Sequence, residues 1–232
     1  MQVLEPTAVP RPRAAASGRP AADPRCAGCA QLGTFRALRR GGLDLQGGLG
    51  CDLASAAAFV PAPGRWAAVT GVARVLGTGA RALLAAAAGA GAHLLVIADR
   101  VPHGGAAPLE AILARAGVRL LRLDPADLAG AEEAVRAAAP GAVLLALSPC
   151  PRGAPRAAPL RVEPSRCNRC GACLALACAA LSDPGGEAMA VDPATCAGCR
   201  LCTPLCRAGA LVGPTAPRPP RRGGAGAPPE AA

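Results

Sequence analysis

Residues 167–206 read CNRCGACLALACAALSDPGGEAMAVDPATCAGCRLCTPLC, and this stretch carries most of the chain's 12 cysteines. They fall into two runs, Cys167, Cys170, Cys173, Cys178 and Cys196, Cys199, Cys202, Cys206. Three thiolates on one tight loop plus one more distant thiolate form the donor set of a [4Fe–4S] cluster. When two such runs lie in tandem, the last cysteine of each serves the cluster of the other. The spacing therefore predicts one cluster on Cys167, Cys170, Cys173 and Cys206, and a second on Cys196, Cys199, Cys202 and Cys178. Zinc sites more often separate two C-x2-C pairs by a long spacer, so the runs favour iron and sulfide. A two-cluster ferredoxin-like domain over 160–213 is the expectation. A segment this short, without apolar periodicity, would be held together by its clusters.

Two details bear on the redox chemistry. The first run has four residues before Cys178, and neither run ends in Cys-Pro, since Ala179 and Arg207 follow. Extra backbone N–H groups, with Arg166, Arg169, Arg200 and Arg207 beside the ligands, are expected to raise the reduction potential slightly.

Upstream, between about 25 and 155, apolar runs alternate with amphipathic stretches. Helices are expected at Gln31–Arg39, Val72–Ala88, Leu109–Ala116 and Ala126–Ala138. Strands are expected at Leu43–Gln46, His93–Ala98 (HLLVIA), Val118–Leu123 and Ala142–Leu147. That alternation predicts an α/β domain, a parallel sheet with helices on its faces. Residues 1–24 and 214–232 are rich in Pro, Arg, Ala and Gly and read as disordered tails.

The remaining cysteines form a scattered set: Cys26 and Cys29 as a C-x2-C pair, Cys51 in a GLGC turn, and Cys150 in SPC. Cys51 and Cys150 each follow an expected strand, where ligands converge in a parallel sheet. A third [4Fe–4S] cluster on Cys26, Cys29, Cys51 and Cys150 is the reading of this set.

Composition limits the alternatives. The 232 residues carry a formal charge of +10, all 25 basic residues are Arg, and there is no Tyr. Three oxidised cubanes would each contribute about −2 and lower the net charge to roughly +4. No aromatic-spaced basic patch or zinc-finger histidine pair points to nucleic acid. The N-terminal MQVLEPTAVPRPR has no apolar h-region. The longest uncharged stretch, Ala82–Ala98, has 17 residues and includes His93, short of the roughly 20 that a membrane span needs. Many cysteines without a secretory signal point to metal sites in a reducing cytoplasm. His93 reads as a core or sheet-end residue, and neither it nor His103 sits in a nucleophile motif.

Taken in order, RCAGC (25–29), GLGC (48–51), LDPADL (123–128), SPC (148–150) and the two cysteine runs resemble the C-terminal half of the alpha subunit of indolepyruvate:ferredoxin oxidoreductase. That subunit belongs to the thiamine-diphosphate-dependent 2-oxoacid:ferredoxin oxidoreductases. The resemblance covers about 25–213. It implies a shortened thiamine-diphosphate-binding-like domain over 25–155, followed by the ferredoxin module. In related enzymes the scattered four cysteines hold a cluster beside the thiamine cofactor. The resemblance also implies redox partner proteins, either a ferredoxin or an oxidoreductase subunit in a hetero-oligomer. This chain has no Gly-Asp dipeptide to bind Mg²⁺, its sole Asn is Asn168, and Arg100 stands where the family has a metal-binding Asn. Thiamine diphosphate with Mg²⁺ is therefore not expected in this chain alone.

The expected function is iron–sulfur electron transfer without catalytic residues. The first alternative is a working subunit of a 2-oxoacid (indolepyruvate or arylpyruvate):ferredoxin oxidoreductase whose thiamine parts come from a partner. The second is a nucleotide-binding iron–sulfur protein, based on Gly77, Gly79 and Ala82 as G-x-G-x-x-A with Asp99 about 20 residues on.

Overall fold

The fold was taken from a computed structural model, which describes residues 26–47, 63–100, 107–117, 120–148 and 156–214. Five helices and five strands make up the first part: α1 (Leu32–Arg40), β1 (Asp44–Gly47), β2 (Trp66–Thr70), α2 (Val72–Thr78), α3 (Ala80–Gly89), β3 (Leu94–Arg100), α4 (Ala107–Arg115), β4 (Leu120–Arg122), α5 (Leu128–Ala137) and β5 (Val143–Ser148). The strands form one sheet in the order β1-β2-β3-β5-β4, every neighbouring pair parallel.

Both faces of that sheet are covered, so its central strands are apolar on both sides. Side chains alternate across the pleat. Ala67, Val69, Leu94, Val96, Ala98, Leu144 and Ala146 meet Phe35 and Leu38 of α1 and Ala131 and Val135 of α5. Trp66, Ala68, Leu95, Ile97, Val143 and Leu145 meet Val75 of α2, Leu83 of α3 and Leu113 of α4. The facial split follows from the strand order. The step from β4 back to β5 runs opposite to the earlier ones, and a right-handed crossover then carries α5 to the other face.

Three sequence expectations need correction. The expected helix Val72–Ala88 is two helices, because Gly79 breaks it with φ 87 and ψ 141. The strand WAAVT at 66–70 was not anticipated, since all five of its residues are buried and a strand covered on both faces shows no apolar–polar alternation to read. The nucleotide fingerprint also fails: Gly77 lies inside α2 and Gly79 ends it, so these glycines do not form the strand-to-helix turn that cradles a pyrophosphate. His93 immediately precedes β3, where its backbone bonds to Trp66 O and Gly141 N.

LDPADL folds as a capping loop. Asp127 is the N-cap of α5 and accepts from Gly130 N at 2.9 Å. A Cβ on Gly33 would lie 1.8 Å from Pro125 O, so α1 can pack on this loop only through glycine. Glu132 of α5 pairs with the buried Arg36 of α1 and, at 3.1 Å, with Arg40.

Beyond β5, residues 156–214 contain two short antiparallel pairs, β6 (Arg161–Val162) with β9 (Leu211–Val212) and β7 (Leu181–Ser182) with β8 (Ala190–Val191). Of the short 3-10 turns at Pro164–Arg166, Ala172–Leu176 and Thr203–Leu205, the second contains Cys173, and Cys167, Cys202 and Cys206 flank the other two. This segment does have an apolar core, contrary to the sequence reading. Leu160, Leu176, Met189 and Leu211 pack with Cys173 and Cys202, and Leu32 and Leu128 of the α/β part complete the cluster. Among the described residues, no helix is long and apolar enough to cross a membrane.

Candidate metal centre

The two cysteine runs are built on the same local plan. Each begins with an acid and a proline, EPSRC at 163–167 and DPATC at 192–196. The bond that closes onto the first cysteine differs by one residue between them, Cys167 N to Pro164 O at 3.0 Å and Cys196 N to Asp192 O at 2.9 Å. The carboxylate of Asp192 accepts from Ala194 N and from the Thr195 hydroxyl, and these bonds, Thr195 first, hold its carboxyl below the usual carboxylate range.

Left-handed backbone recurs at matching places. The residue before the second cysteine is Arg169 (φ 54) in one run and Gly198 (φ 68) in the other. The residue after it is Gly171 (φ 69) and Arg200 (φ 62). Each run thus has one glycine and one arginine in a conformation that costs an L-residue roughly 1–2 kcal/mol. The left-handed backbone falls at equivalent positions, so the two turns have the same local shape around their second cysteine.

Burial repeats in the same way. Cys170 and Cys199 are exposed, Cys173 and Cys202 are buried, and Cys167, Cys178, Cys196 and Cys206 are intermediate. None of these thiols is in a disulfide. Cys167, Cys170, Cys173 and Cys206 line one small cavity. Val162, Met189 and Leu211 complete its apolar wall. The Cys173 thiol is pushed up by burial first, and the nearby Cys206, Cys167 and Cys170 add to the rise. Cys202 is pushed up to about 12 by burial, then by Cys199, Cys178 and Cys196. Cys199 rises for the same reasons, with Cys178 and Cys196 as its neighbours. Each quartet therefore takes three thiols from one run and one from the other. Ala210 N also donates to Cys206 Sγ at 3.2 Å.

Burial and mutual proximity disfavour ionisation of these thiols, so a polycation at their centre is the group that would stabilise them as thiolates. Among the described residues, no three His, Cys, Asp or Glu are gathered as a metal ion would require.

Of the scattered set, Cys26 and Cys29 are described, while Cys51, Cys150 and also His103 lie outside the described residues. Cys26 and Cys29 are joined by a turn, Cys29 N to Cys26 O at 2.9 Å, that leads into α1. The start of α1 is fixed by Gln31, a residue that sequence reasoning placed at the edge of a helix and gave no role. Its Nε2 donates to Ala146 O at 2.8 Å and Asp99 O at 3.0 Å, and its Oε1 accepts from Thr34 Oγ1 at 2.8 Å. Its only advance signal was a lone polar residue before an apolar run.

At the C-terminal end of β2, Asp99 Oδ2 accepts from Val72 N at 2.7 Å. No family model, curated protein or solved structure matches the chain.

Proposed function

We propose that the chain is an iron–sulfur electron-transfer protein. Cys167, Cys170, Cys173 and Cys206 would hold one [4Fe–4S] cluster, and Cys178, Cys196, Cys199 and Cys202 a second. Cys26 and Cys29, with Cys51 and Cys150, would hold a third. The observation that carries this reading is the crossing of the two runs into two quartets with matched backbone and matched burial. Bound there, such clusters store and release single electrons. The protein's part is to hold them without rearrangement. The tight turns position the thiols, Val162, Met189 and Leu211 form an apolar wall beside one quartet, and Ala210 N–H reduces the negative charge on Cys206 Sγ. No proton donor or acceptor is needed for outer-sphere transfer.

Thiamine diphosphate with Mg²⁺ does not fit the end of β2. Gly71 is followed by Val72 and Ala73, which have no side-chain oxygen, and so no carboxylate, to offer a hard cation. The backbone N–H of Val72 that could meet a phosphate is already taken by the Asp99 carboxylate. Oxoacid chemistry would therefore have to come from a partner chain, with this chain as its electron-accepting subunit in a redox hetero-oligomer.

Paired substitutions test the quartets. Replacing two cysteines of one quartet from different runs, Cys173→Ser with Cys206→Ser, should remove about 4 iron per chain. Replacing two of one run from different quartets, Cys202→Ser with Cys206→Ser, should remove about 8. The reverse pattern would mean that each run binds its own cluster and would overturn the assignment.

A further inference from the structure

The two quartets share a backbone plan but not their surroundings. The first, Cys167, Cys170, Cys173 and Cys206, has three arginines next to its thiols in the chain: Arg166, Arg169 and Arg207. The second, Cys178, Cys196, Cys199 and Cys202, has Arg200 alone. All four arginines are exposed. Arg169 shares its charge with Asp183 at 2.9 Å. Arg166 instead turns toward the other run, where its Nη1 donates to Gly209 O at 3.5 Å. Gly209 belongs to the turn that holds Cys206, since Gly209 N bonds to Cys206 O at 3.0 Å. The Arg166 cation thus closes on the first quartet from both of the runs that build it. Arg200 lies against the chain end: a Cβ on Gly213 would fall 2.8 Å from its Nη2.

Backbone donors do not separate the quartets. Ala210 N donates to Cys206 Sγ at 3.2 Å in the first. In the second, Cys199 is pushed up by burial foremost, and the Leu201 N–H acts in the opposite direction. Solvent access does separate them. Cys170 and Cys199 are both exposed, but their turns differ in what lies against them. A Cβ on Gly171, beside Cys170, would meet nothing within 4 Å. One on Gly198, beside Cys199, would fall 2.6 Å from Ala158 O, and Gly28 packs on Ala197 from the α/β part.

We propose that the cluster on Cys167, Cys170, Cys173 and Cys206 is the electron sink of the pair, and that Arg166 is the residue whose charge sets it above the cluster on Cys178, Cys196, Cys199 and Cys202. This rests on the electron-transfer reading above and adds the direction of flow between the two quartets. Reduction takes a four-thiolate cubane from about −2 to about −3. A neighbouring cation and nearby water both favour the more negative form. In the internal step one electron leaves the second cluster, which is oxidised by one unit, and reduces the first by one; no bond forms or breaks.

The test is a potentiometric titration of the full chain, loaded with iron and sulfide and read by electron paramagnetic resonance. Arg166→Gln changes an exposed side chain and should lower one reduction step at unchanged iron content. At fixed potential the ratio of reduced to oxidised cluster in that step should fall about threefold, equivalent to about 30 mV. That step should be the one lost in Cys173→Ser with Cys206→Ser, and it should lie above the one lost in Cys178→Ser with Cys202→Ser. Should the paired cysteine variants fail to fold, the step lowered by Arg200→Gln marks the second quartet in their place. The gap between the two steps should narrow in 1 M salt, which screens an exposed cation. Equal potentials for the two quartets, or an Arg166→Gln shift in the lower step or in neither, overturns the sink assignment while sparing both clusters. A chain that takes up no iron and labile sulfide overturns the electron-transfer reading and this inference with it.

Discussion

Gln31 allows the link between the α/β domain and the thiols to be tested without any metal. It is 4% exposed and makes three hydrogen bonds, two to carbonyls of β3 and β5 and one from Thr34, the bond to Asp99 O only partly buried. Gln31→Met keeps the length and most of the volume but cannot donate to those carbonyls. Each lost bond has a net value of about 0.5–1.5 kcal/mol, and carbonyls left buried raise the cost. The three together give roughly 3 kcal/mol of destabilisation. Thr34→Val, which removes one bond and keeps the shape, should cost about 1 kcal/mol. The double variant should cost clearly less than the sum, because both changes break the same Thr34–Gln31 bond. Urea denaturation followed by far-ultraviolet circular dichroism reads all three. A Gln31→Met cost below about 0.5 kcal/mol would mean that α1 is held by apolar packing alone, and the argument that Gln31 fixes the Cys26–Cys29 turn would fail.

Gly171→Ala should cost about 1 kcal/mol from left-handed strain alone, since nothing lies within 4 Å of the new Cβ. Gly198→Ala should cost about 3 kcal/mol, because the Cβ also strikes the backbone at Ala157 and Ala158; equal costs, measured by urea midpoint, would refute the contact. Glu132→Gln should destabilise by about 2 kcal/mol by leaving the buried Arg36 guanidinium without its carboxylate, and 1 M salt should barely rescue it. The His93 imidazole is held below its ordinary value by burial first and by Arg65 second. The unfolded chain therefore takes up that proton more readily than the folded one. Its contribution to stability is complete above about pH 6.5 and is lost as pH falls through the lowered folded value. His93→Gln should flatten that part of the stability–pH profile measured by thermal unfolding, and an unchanged profile would contradict the lowering of the His93 value.

The sheet could be read where strands are long and β-branched or leucine-rich. HLLVIA and VLLALS announce buried parallel strands because both faces demand apolar residues. WAAVT did not, because alanine fits a tightly packed strand and a helix equally well. The Gly79 break was hidden for a similar reason: in a chain this rich in Gly and Ala, one more glycine carries little information until its φ is known. At the candidate site, the spacing of the two runs was enough to propose which thiols belong together. The small core of Leu32, Leu128, Leu160 and Leu211 was not legible, since its members come from elements far apart in the chain. Nor could spacing show that Gly28 lies against Ala197. Such contacts depend on how the α/β part and the cysteine-rich part meet, which no local pattern encodes.

The most direct test of the central claim is a count of iron and acid-labile sulfide per chain after anaerobic purification. The account predicts about 8 of each from the two quartets and about 12 when Cys26 and Cys29 complete their centre. Zinc in place of iron, or iron near 1 per chain with no labile sulfide, would contradict it.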